Sequence, residues 1–241
     1  MACFVYMARA MQLRNFSRFF FGVIEHAEDF VSGLTPDSQA EFMREAHKYK
    51  SKDVEYSANR HFVYELMLSR SIETFDLYLL LVLREIFEIS PEILKSETPI
   101  ELSVIFEFRT FEEIISYAAE RKLHELSFKS LSDLRKYIST RTGLELFKTE
   151  DIFATVLIAT EVRNLIAHND CRVNDVFQRR IKGYAKEEFP VSEMKKFIIG
   201  DTWLRNACSV LDTVAFDFDE AVAAKFKVRT LNRMTSFLYR D

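Results

Sequence analysis

Glycine and proline are scarce in this chain, with five and four in 241 residues. A β-sandwich or barrel needs frequent turns. Few breakers between long periodic stretches exclude that class and predict an all-α protein. Cysteine is scarcer still. Cys3, Cys171 and Cys208 are odd in number, far apart and form no Cys-x-x-Cys pair. They predict neither a disulfide framework nor a zinc site, and a reducing cytoplasm is the expected compartment. His26, His47, His61 and His124 share no ligand spacing, so no metal is expected. The glycines are isolated, which leaves no Walker-type loop or dinucleotide-binding fingerprint, and no cofactor is expected. Leu77 to Leu83 is apolar throughout but only seven residues long, against the roughly 20 that span a bilayer. The apolar start, Ala2 to Met7, is broken by Arg9, Arg14 and Arg18 and lacks a signal-peptide shape. A soluble protein without a membrane partner is expected. A formal net charge of −4 does not announce a nucleic-acid binder. It permits one only where basic residues gather locally.

What the chain does have is core material: 48% hydrophobic residues and 23 Phe. Its length fits one large or two small domains. Helical periodicity runs from about Phe4 to Val31. A second helix follows Thr35-Pro36, with Thr35 as N-cap and Pro36 in the first helical position, to about Lys50. A long third segment, from about Asp53 to Ile89, carries an apolar face at Phe62, Leu66, Ile72, Phe75, Leu79, Leu83 and Ile86. Residues 90–109 read as a loop with short helical turns. Further helices are expected from Thr110 to Leu126, from Ser130 to Ser139, from Thr149 or Asp151 to Ala167, from Asn174 to Ile181 and from Ser192 to Phe226. Gly200 is expected to weaken the last of these locally.

The most informative segment is EVRNLIAHN, residues 161–169. It places a guanidinium (Arg163), a carboxamide (Asn164) and an imidazole (His168) at the end of an otherwise apolar helix. Asn169, Asp170, Cys171 and Arg172 then read as a helix stop. Val173-Asn174 follows and leads into a short amphipathic stretch. With its Arg-Asn-x-x-x-His-Asn core, the segment resembles the Arg-x4–6-His motif of the HEPN family, helical domains many of which are metal-independent endoribonucleases. The bland alternative is a helix C-cap with incidental polar residues.

The resemblance covers about residues 55–226. It implies a HEPN-like helical bundle over residues 51–241 with an N-terminal helical extension, residues 1–50. In the family, a core helix sets an acidic position opposite the Arg/His helix. The stretch SIETFDLYL, 71–79, looks like that helix, with Asp76 as the supporting carboxylate. Asp76 also reads as an ordinary helix-surface charge, and both readings stand at this level. Cys171-Arg172 departs from the small, often glycine-containing turn of many relatives, which puts the turn geometry in question. Glu161 reads as solvated.

RNA cleavage without a metal needs an activated 2′-OH, an in-line phosphate and compensation for charge on the phosphoryl oxygens. Histidine is the side chain suited to proton transfer near neutrality, which casts His168 as acid/base. Arg163 can donate two parallel hydrogen bonds to a phosphate. Asn164, one helical turn before His168, can orient the imidazole or the substrate. Arg163, Asn164 and His168 are therefore the expected catalytic set, with Asp76 and Asn169 supporting. Arg163 and His168 diverge by about 140° around the helix, so they flank a cleft rather than stack. The resemblance implies a homodimer whose two motifs together form the groove. It further implies a toxin or phage-defence role, restrained by an antitoxin or another regulatory partner. Arg172, Arg179, Arg180, Lys182 and Lys186 form a basic run downstream of His168. The run reads either as a solvated face or as RNA-backbone contacts. The competing function is a non-catalytic HEPN module that binds nucleotide or RNA, or serves as a dimeric scaffold.

Overall fold

The computed structural model describes residues 2–49, 56–95, 99–185, 191–192 and 194–227. Among these it is all-helical: α1 (Ala2–Ser32), α2 (Pro36–Tyr49), α3 (Tyr56–Ile89), α4 (Leu102–Ile105), α5 (Phe111–Ser127), α6 (Leu131–Thr142), α7 (Glu150–Asn169), α8 (Asp175–Ile181) and α9 (Asp201–Phe226). A 3-10 turn, Pro91–Leu94, follows α3. No helix among the described residues is long and apolar enough to cross a membrane.

Local sequence explains several of the helix ends. The hydroxyls of Thr110, Ser130 and Thr149 each accept a backbone N–H from the first turn that follows, as does the Asn174 side-chain oxygen. Gly143 ends α6 with φ 62°, a left-handed conformation that costs glycine little. The carboxylates of Glu150 and Asp151 lie in the first turn of α7, where the helix dipole favours negative charge.

Helix α3 is the hub, packed against α1, α5, α7 and α9, while α7 also touches α8 and α9. Its buried stripe includes Leu68, Ile72, Phe75, Leu79, Leu83 and Ile86. The N-terminal part of that stripe departs from the face expected from periodicity. Phe62 and Leu66 are 53% and 55% exposed, and Tyr64, Met67 and Leu68 are buried instead. The cause is the position of α1, whose Phe21 ring lies 5.4 Å from that of Tyr64. Helix α1 also lends Ala2, Cys3 and Tyr6 to the core. The Tyr6 hydroxyl donates to Asp212 Oδ1 on α9 at 2.8 Å, and Arg14 pairs with Asp212 Oδ2 at 2.6 Å. The buried Tyr78 hydroxyl donates to the Ala215 carbonyl at 2.8 Å, joining α3 to α9.

The last helix is shorter than its periodicity suggests. Residues 192 and 194–199 are not helical, and Gly200 is the N-cap of α9 rather than a weak point inside it. Val191 and Phe197 form one isolated antiparallel bridge, and Arg172 and Lys196 another. The backbone explains the difference. The Val173 amide donates to the Lys195 carbonyl and the Phe197 amide to the Cys171 carbonyl, both at 2.9 Å. Residues 195–197 thus satisfy peptide groups just beyond α7 that would otherwise lack partners.

The shifted stripe gives a direct test. Phe75→Ala should destabilise the protein by about 3–5 kcal/mol, the usual cost of emptying a buried aromatic site. Phe62→Ala should stay within about 0.5 kcal/mol. Urea unfolding of the two variants checks the difference.

Candidate active site

After its acidic first turn, helix α7 is largely apolar, with Phe153, Val156, Ala159 and Val162 in the core. The polar groups come late, where the helix emerges. Arg163 is turned toward α3, and its Nη2 lies 3.2 Å from Asp76 Oδ2. The acidic side chain of the core helix therefore faces the motif arginine. It is not a free surface charge. Asp76 keeps 46% of its side-chain surface and Arg163 keeps 26%, so the pair is only half withdrawn from water and contributes little net stability. Burial pushes the Asp76 carboxyl above the usual carboxylate range, and the Arg163 guanidinium offsets this only in part. Arg163 Nε is buried without a hydrogen-bond partner.

Glu161, expected to be solvated, is 9% exposed. Both of its carboxylate oxygens accept from Arg180 Nη1, at 3.2 and 3.1 Å. Its place about two turns before the end of α7, against α8, accounts for the burial: a carboxylate sheltered there needs a cation, and α8 supplies one. Arg163, Asn164, Asp76, Glu161 and Arg180 line one concavity of about 320 Å³, floored by leucines of α3, α5 and α6.

His168 does not line that concavity. It is exposed in the last turn of α7. Asn169 is used structurally, its amide donating to the Arg172 carbonyl at 2.6 Å. The turn that follows is unusual. Asp170 and Cys171 both have positive φ, 50° and 59°, and their amides both point back to the Leu165 carbonyl. Non-glycine residues reach this region at a cost of about 1–2 kcal/mol each. Here the neighbouring segment offsets it: Cys171 is buried, and Lys196 Nζ meets Asp170 Oδ2 at 2.7 Å. Burial pushes the Cys171 thiol up to about 11, so at neutral pH it is not a thiolate nucleophile.

The basic run divides. Arg180 belongs to the concavity of Arg163. Arg179 and Lys182 line a separate open depression with Asp175 and Gln178. Arg172 lies 3.8 Å from Asp170. Lys186 falls outside the described residues. Among the described residues, no group of three or more His, Cys, Asp or Glu side chains is placed to hold a metal ion. Sequence reading missed Phe128, Lys129 and Thr160, which share the concavity with Arg163. The available signal was an aromatic followed by a lysine between two helices.

Compared with known proteins, the chain matches no family model, no curated protein and no solved structure.

The Asp76 shift has a signed consequence. The folded protein holds the Asp76 proton more tightly than the unfolded chain, whose ordinary value is 3.8. Stability from this group is therefore lost as pH rises from about 3.8 through the raised folded value. Asp76→Asn removes that dependence. Relative to the variant, wild type should lose stability between acidic and neutral pH, read by urea unfolding of both proteins across that range.

Proposed function

We propose that the protein is a metal-independent endoribonuclease that cleaves by attack of a 2′-OH on the adjacent phosphate, breaking the bond from phosphorus to the next nucleotide's 5′-oxygen and leaving a 2′,3′-cyclic phosphate and a 5′-OH. The observation that supports this reading is Arg163 itself, a half-buried guanidinium oriented by Asp76 from another helix. It stands in a concavity with Asn164, in the segment that ends in the exposed His168. An arginine aimed by a carboxylate is prepared to meet charge building on a phosphoryl group, and one well-aimed donor is worth about 10²- to 10³-fold in kcat. His168 serves as the acid/base group. Restraint by an antitoxin or another regulatory partner, and a toxin or phage-defence role, belong to the same proposal.

One observation favours the alternative, a non-catalytic module that binds nucleotide or RNA or acts as a dimeric scaffold: His168 lies outside the concavity that holds Arg163 and Asn164. In the catalytic reading, a second copy of the chain supplies His168 to the phosphate held by the first. The site is then incomplete in one chain and the active species is a homodimer.

His168→Ala and Arg163→Ala should each abolish cleavage, with the double variant little worse than either single one. Arg163→Lys should rescue little, because an ammonium cannot reproduce the planar fork. The three single variants should each unfold within about 1 kcal/mol of wild type, since the Arg163–Asp76 pair is half exposed. Sequencing of RNA ends together with EDTA treatment is the check; full activity in a clean His168→Ala preparation sinks the assignment.

Assembly gives a separate measurement. Mixing inactive His168→Ala with inactive Arg163→Ala chains should restore part of the activity, because mixed dimers regain one intact composite site. Light scattering that finds a fully active monomer would remove the two-chain mechanism.

A further inference from the structure

Phe128 ends α5 with 77% of its surface exposed, its ring centroid 5.0 Å from that of His124 with the two planes at 66°. An isolated exposed aromatic needs no explanation. This one lies on the rim of the concavity that holds Arg163, Asn164 and Arg180, beside Lys129. Lys129, Arg163 and Arg180 bring three cations to that concavity; Arg163 and Arg180 face Asp76 and Glu161, and Lys129 lies 3.7 Å from the exposed Glu125 just outside. At about 320 Å³, the space lies near the lower end of the roughly 300–1,000 Å³ of small-ligand sites. Each chemical part of a nucleotide thus has a counterpart: a π-face for the base, cations for the phosphate and a carboxamide for a polar edge.

We propose that this concavity is a single-nucleotide subsite for single-stranded RNA, in which the Phe128 ring stacks on the base while Lys129 and Arg180 flank the phosphate. The assignment rests on the RNA-cleaving reading of Arg163 and His168, and it names how that site selects its substrate. A base can lie on the ring only when it is out of a helical stack, so the subsite takes unpaired RNA and rejects duplex. Stacking tolerates every base, because each has a π-face, so Phe128 supplies affinity more than sequence preference.

The test measures binding of fluorescein-labelled, 2′-O-methylated single-stranded oligonucleotides to the full chain carrying His168→Ala. Adding Phe128→Ala should weaken binding by about 5- to 150-fold, the range for losing one stacked base. Phe128→Trp should preserve affinity, and its added fluorescence should be quenched by the oligonucleotide. Phe128→Leu, similarly apolar but without a π-face, should stay as weak as Ala. The residue's exposure lets all three fold, which thermal unfolding verifies. Unchanged affinity in Phe128→Ala, full recovery in Phe128→Leu, equal affinity for duplex, or no binding of single strands by the parent each overturns the subsite. Cleavage by the wild-type chain that Phe128→Ala leaves untouched overturns the subsite and spares the nuclease reading. Binding that depends on Phe128 in a chain that never cuts RNA does the reverse.

Discussion

The burial of α3 on several sides is the constraint on which the rest of the structure depends. Helices α1, α5, α7 and α9 all lie against it, so most of its length must be apolar wherever one of them rests. A charged residue survives on such a helix only where it finds an opposite charge and some water. Asp76 has both, in Arg163 and in the concavity that opens beside it. The demands of packing and the placement of the motif arginine are therefore one problem with one solution. Arg163 Nε is already buried without a partner, so removing the carboxylate would take the Nη2 contact as well and leave nothing to aim the guanidinium.

Much of this was legible in the sequence wherever a local rule had no competitor. The caps at Thr110, Ser130, Thr149 and Asn174 fall where threonine, serine and asparagine precede apolar periodicity, because a side-chain oxygen satisfies an orphan amide without help from elsewhere. The errors cluster where tertiary partners decide. Phe62 and Leu66 fit the helical period of α3, yet α1 covers a different side of that end. Residues 195–197 fit a helix, but the backbone beyond α7 needed hydrogen-bond partners and took theirs. Glu161 looked solvated because nothing nearby in sequence announces that Arg180, on the next helix, meets it.

The site was legible in its membership more than in its arrangement. The segment 161–169 names an arginine, an amide and an imidazole, and spacing separates Arg163 from His168 around the helix. Spacing alone does not say that Arg163 turns inward to α3 while His168 stays in solvent. The basic residues show the same limit. Arg180 and Arg179 are neighbours in the chain, yet one serves Glu161 and the other lines a different depression, because successive helical positions point about 100° apart.

The hydrogen bond from Tyr6 to Asp212 spans 206 positions along the chain. Closing a loop of that size costs only slightly more entropy than closing one of half the length, since the penalty grows with the logarithm of the span. Its burden is one of timing. Synthesis delivers α1 well before α9, and domains assemble as the chain emerges at roughly 5–20 residues per second. During that interval Ala2, Cys3 and Tyr6 have α3 to rest on but not α9, and the apolar side of α1 is only partly covered. Completion of the fold waits on the arrival of the segment around Asp212, which leaves the nascent protein open to chaperones, or to unwanted pairing, for on the order of ten seconds or more at that rate.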